Sequence, residues 1–216
     1  VPITNQAVTP GRTTLLEAVN TLLMVIGEQP VNSIDTQQIV EASMAERTLL
    51  EFHREGQSRG WHWNREEAYE FARDANNEVP VPANLLRWVP DHYQFDGRYQ
   101  LRGQRVYDRQ EHTFKIDVAS IKADVVWLLS WDECPEVFNR WVTIRSARVF
   151  AGRVLGDNSS FQLTAMDEQA ARVELERAEM EHEQPNSLTG GPGLRPFPTY
   201  SPGLGVLGRN RGYLRG

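Results

Sequence analysis

The chain has 216 residues, 40% hydrophobic and 24% charged, enough for one large or two small soluble domains with a real core. No apolar run approaches the roughly 18 to 20 residues of a membrane span, and one cysteine, Cys134, excludes an internal disulfide and a cysteine-rich zinc site. Net charge is −6; residues 184–216 hold four arginines and no acid, so that segment is +4 and residues 1–183 are −10, which argues against DNA binding by a basic face.

In chain order, "TTLLEAVNTLLMVIG" predicts a first helix. Thr14 and Glu17 have capping-box spacing, Gly27 sits where a helix ends, and Leu15, Val19, Leu22, Leu23 and Ile26 form an apolar face. A second helix is predicted from about Thr36 to Ser58, with Asp35 and Gln38 as another capping box and Ile39, Ala42, Leu49 and Phe52 on one side. At Gly60 the period changes from helical to alternating. "WHWN", "AYEFAR", "VPVPANLLRWV" and "YQLRGQRVYD" read as short extended pieces, the last folding into a hairpin around Arg102-Gly103. "HTFKIDV" and "ADVVWLLSW" read as later strands. Helix returns at "DECPEVFNRWVTIRSARVFAGRVLG", with Asp132 as cap, Pro135 in the first turn and Gly156 as stop. Its apolar residues Val137, Phe138, Trp141, Val142, Ile144 and Val149 cover so much of the circumference that the helix is expected to be central. A last helix follows, strongly acidic in its second half, with Leu163, Met166, Ala170 and Val173 as a modest inner face.

From Pro185 onward the composition shifts. Eight of the sixteen glycines and five of the twelve prolines lie in this segment, which cannot build its own core. Phe197, Tyr200, Leu204, Val206, Leu207, Tyr213 and Leu214 are anchors of the kind that dock on a partner, interspersed with Arg195, Arg209, Arg211 and Arg215. The expected organisation is α+β: a four-helix bundle made of residues 1–60 and 132–183, an inserted β-rich domain at 61–131, and an extended arm at 184–216. The N-terminal stretch shows no charged-then-apolar leader pattern, so no secretion signal is expected.

Chemistry-bearing patterns are weak. His53, His62, His92, His112 and His182 form no HxH, HxxxH or HExxH spacing, so no metal or cofactor is expected. His62 would face away from Trp61 and Trp63 in a strand, as a solvent-facing or hydrogen-bonded residue. Cys134 has no visible partner histidine and reads as packed and structural. The acid pairs Glu66-Glu67 and Asp132-Glu133 are adjacent in sequence, whereas a glycosidase needs carboxylates about 5 to 10 Å apart across a cleft. No GxxxxGK[ST], GxGxxG or GxSxG occurs. On the third helix, Arg145 and Arg148 share a face. They would pair either with the acidic last helix or, with Trp141, across a subunit boundary.

The strings "LLEAVNTLLMVIGEQPVNSID", "QSRGWHWNREE", "YDR" and "WDECPEVFNRWVTIRSARVFAGRVLG" together resemble, in order and spacing, the tail tubular protein A family of short-tailed bacteriophages over about residues 15 to 183. The resemblance implies a virion structural protein of the tail or neck, made in the host bacterial cytoplasm. Copies would form a ring, dodecameric in that family, between the portal protein and the tail nozzle, a protein like tail tubular protein B. The ring would continue the channel through which genomic DNA passes without sequence-specific binding, and the arm would dock on the portal. An acidic wall suits such a channel. Gly60 is then expected to turn the chain at the end of the second helix. Trp61 and Trp63 would pack into the junction between bundle and β domain, with Arg59 capping the helix or pairing with an acid. The expectation is a non-enzymatic protein. The competing functions are a virion-borne cell-wall hydrolase and a nucleic-acid-binding module acting through the arginines and aromatics of the arm.

Overall fold

Helix α1 (Leu15–Val25) starts at the predicted capping box. The Thr14 hydroxyl accepts from the Glu17 N–H at 3.2 Å, and the Glu17 carboxylate accepts from the Thr14 N–H at 2.8 Å. Gly27, at φ +83°, takes the left-handed turn after it. The computed structural model describes residues 11–33, 40–91, 97–156 and 160–182. The chain divides into two compact units, 1–179 and 180–216; of the second, the description covers the end of the last helix through His182. Asp35, Gln38, Ile39 and His92 lie outside the described residues, as does the whole arm with Arg195, Phe197, Tyr200, Leu204, Leu207, Arg209, Arg211, Tyr213 and Leu214.

Three more long helices are described: α2 (Val40–Gln57), α3 (Glu136–Leu155) and α4 (Ser160–His182). Helices α1, α2 and α3 pack pairwise around one apolar core. Its largest fully buried side chains include Leu22, Leu23, Leu49, Phe138 and Phe150. Helix α3 is the central one, burying residues toward both α1 and α2, and Gly156 ends it at φ +66°. Its start differs from expectation. Asp132 lies in a 3-10 turn, Trp131–Glu133, and Pro135 occupies the N-cap position, because Cys134 and Pro135 are extended and the helix begins only at Glu136. The inner face of α4 also differs. Ala171 and Leu175 are buried, whereas Met166, Ala170 and Val173 are exposed, and the side chain of Leu163 lies outside the description. Glu168, paired with Arg145 and Arg148 of α3, helps to decide which side of this helix faces inward.

The strands all fall between α2 and α3 in sequence. β1 (Arg65–Ala72), β2 (Leu85–Pro90) and β5 (Ser120–Trp127) form an antiparallel sheet with β5 in the middle. β3 (Tyr99–Arg102) and β4 (Arg105–Asp108) form the hairpin expected around Gly103. Alternation along β5 sends Ile121, Ala123 and Val125 into a second core with Phe71, Val79, Val81, Tyr99, Val106 and Ile116. Two extended pieces are corrected. "HTFKIDV" is not a strand: His112 sits at φ +52°, and the backbone of Ile116 bonds to Asn77 and Arg73, which lie in no described strand. "WHWN" is a turn: the Asn64 N–H donates to the Trp61 carbonyl, and the Trp61 N–H donates back to Asn64 Oδ1 at 2.7 Å. The fold is thus a mixed α+β arrangement of four helices and antiparallel strands among the described residues.

Candidate assembly interface

The junction between α2 and β1 is built on Gly60, at φ +80°. A Cβ there would lie 2.6 Å from an Arg87 guanidinium nitrogen and 2.8 Å from Val126 Cγ2, so both conformation and space demand glycine. The turn that follows is pinned at each end. The Trp61 indole donates to the Gly56 carbonyl at 2.9 Å, and Asn64 Nδ2 donates to the carbonyls of Gln57 at 3.0 Å and Trp127 at 2.9 Å. Gln57 in turn exchanges two hydrogen bonds with the backbone of Leu129. Trp61 and Trp63 both reach Phe138 of α3, with ring centroids 6.4 and 5.0 Å away. Each ring presents an edge-type contact, a favoured aromatic geometry. The two tryptophans therefore pack into the helical core beside the sheet.

His62 points the other way, to Glu179 of α4. Arg59 stacks over the Trp61 ring at 4.9 Å and pairs with Glu176 at 3.3 Å, fulfilling its expected link to an acid. Trp141 is buried, and Arg145 lies between it and Phe52, with guanidinium-to-ring distances of 5.6 and 4.9 Å. Arg145 pairs with Glu55 and Glu168, and Arg148 with Glu168 at 2.6 Å. These arginines thus tie α3 to α2 and α4 within one chain. Arg153 continues the series through Glu51.

The remaining candidates have structural surroundings. Cys134 is fully buried; its thiol donates to the Ser130 carbonyl and lies 3.5 Å from His53 Nε2. Burial, then the nearby Glu133 charge, pushes it up to about 12, so it stays a thiol and is a poor nucleophile. Burial, then the Arg54 charge, pushes His53 down to about 4. Glu66 and Glu67 lie exposed on β1, and Glu133 caps Ser130. Among the described residues no group of three or more His, Cys, Asp or Glu is placed to hold a metal, and no helix is long and apolar enough to cross a membrane.

What the molecule does offer is surface. A groove of about 740 Å³ opens between α1, α3 and α4, with Val25, Ile144, Ala170 and Val173 among its apolar lining and Asp167 and Glu174 on its α4 side. Sequence reading missed this groove because it took Ala170 and Val173 for core. It also missed Asn64 and Gln57, whose side chains bond to backbone groups at the junction; an Asn shortly after Gly60, both turn-favouring residues, was the available signal.

A sequence model of the tail tubular protein family matches residues 16–185. The chain belongs to the tail tubular protein family. Tail tubular proteins are structural components of the bacteriophage virion tail, not enzymes. A search of curated proteins returned no match. The matched span includes the junction, the ion-paired α3–α4 face and the groove of this chain.

Proposed function

We propose that this chain is the ring-forming adaptor that joins the portal to the tail nozzle and continues the DNA channel for packaging, retention and ejection. The observation that carries the reading is the family match across residues 16–185. In this reading the helices form a bundle, residues 1–60 with 132–183, that makes the ring, and residues 61–131 are an inserted β-rich domain. Charge supports the division of labour: residues 1–183 carry −10, which suits a wall past which DNA moves without sticking. Residues 184–216 carry +4 with apolar and aromatic anchors, which suits coupled folding and binding on a large partner. Subunits join as a closed homo-oligomer, a dodecamer by the resemblance.

The test is portal binding by the full chain and by a chain lacking residues 184–216, measured by interferometry on immobilised portal from the same virus. The proposal expects loss of binding on deletion. Full-strength binding by the truncated chain refutes the docking role of the arm.

A further inference from the structure

We infer that the groove between α1, α3 and α4 receives a second copy of this chain, and that the outer stripe of α2 is the face that enters it. The inference rests on the ring reading above and assigns it a subunit contact.

The groove is apolar and open. Val173, which lines it, is 55% exposed, as is Met166 at 74% one position before the lining residue Asp167. Val25, Ile144 and Val173 give the groove an apolar floor of the kind that the core of a protein interface covers. Asp167 and Glu174 make no ion pair among the described residues, and Arg140 supplies the one lining cation.

The outer stripe of α2 carries the opposite charge. Val40, Met44, Arg47, Glu51 and Arg54 recur at helical spacing and are all exposed. Glu51 is neutralised by Arg153, while Arg47 and Arg54 make no ion pair among the described residues. Two apolar side chains and two cations thus face an apolar floor whose α4 side carries Asp167 and Glu174, leaving the groove at −1 once Arg140 is counted.

Placement supports the match. Because α1, α2 and α3 pack pairwise, they form a triangle in cross-section. The groove runs along the α1–α3 edge, and the exposed stripe of α2 points away from that edge. A surface that fits a different surface on the far side of the same molecule makes a head-to-tail contact, which repeats and closes into a ring when the rotation divides the circle.

The experiment uses the full chain, alone and on purified portal, with mass read by native mass spectrometry and analytical ultracentrifugation. Val173→Lys blocks the groove; Met44→Glu with Arg47→Glu blocks the stripe. All three positions are exposed, and circular dichroism checks that each variant folds. The inference expects the native chain to form a closed oligomer and each variant alone to be monomeric. Mixing the two variants gives a one-to-one heterodimer and nothing larger, because one intact groove meets one intact stripe. A native oligomer that survives either variant overturns this contact and leaves the ring reading standing. Dimers formed by either variant alone also overturn it, as the mark of a self-complementary interface. A native chain that stays monomeric at every concentration, with and without portal, overturns both.

Discussion

The carboxylate of Glu179 holds His62 twice, accepting from its backbone N–H at 2.8 Å and lying 2.6 Å from its Nδ1. Together with Arg59–Glu176 and the Glu168 pairs to Arg145 and Arg148, this contact fastens α4 to the rest of the first unit. Among the described residues of that helix, Ala171 and Leu175 are the buried apolar side chains, and these polar contacts add to their hold on it.

Glu179→Ala is therefore expected to loosen α4 locally. Hydrogen exchange over residues 165–179 should rise, with a global loss of only about 1–2 kcal/mol, typical of one charge-assisted hydrogen-bond pair. Exchange unchanged over that stretch would mean that the Glu168 and Glu176 pairs with buried Ala171 and Leu175 suffice to hold the helix.

Gly60→Ala should destabilise by about 2 kcal/mol or more, from left-handed strain added to the clash with Arg87 and Val126. Chemical denaturation measures it. Gly103→Ala, also at positive φ but in open space, is the control and should cost less.

Trp61→Ala removes a buried indole from the helical core and should cost about 3–5 kcal/mol. Trp63 is only partly buried, so Trp63→Ala should cost less while still weakening assembly through the shared contact with Phe138. If Trp63→Ala leaves both melting and oligomer mass unchanged, the junction role assigned to it is wrong.

His53 gives the fold an acid sensitivity above the carboxylate range. Its proton affinity is lowered from 6.5 to about 4, so between those values the unfolded chain binds the extra proton and the folded chain does not. Stability is then fully present above pH 6.5 and falls as pH drops toward 4, by roughly 3 kcal/mol in all. The lowered carboxylates, Glu17 and Glu133 among them, act only below about 4.5. Denaturation midpoints across pH 7 to 4.5 should slope downward, and His53→Gln should flatten that slope.

Much of this was legible in the sequence because the signals were local. The Thr14–Glu17 box, Gly27, Gly60 and Gly156 each act within a few residues, and the apolar circumference of α3 announced its central place. The failures were non-local. "HTFKIDV" alternates like a strand, but Ile116 is held by Asn77 and Arg73 from distant sequence. The inward side of α4 was misread because its apolar stripe is too thin to choose a face alone, and the pairing of Glu168 with arginines on α3 helps to choose it. The groove followed from that choice and so was invisible beforehand.

The most direct test of the adaptor account is electron microscopy of the full chain mixed with the portal of the same virus, with and without residues 184–216. The account predicts rings capping the portal, lost when the arm is removed. A full-length chain that remains monomeric and ignores the portal would contradict it.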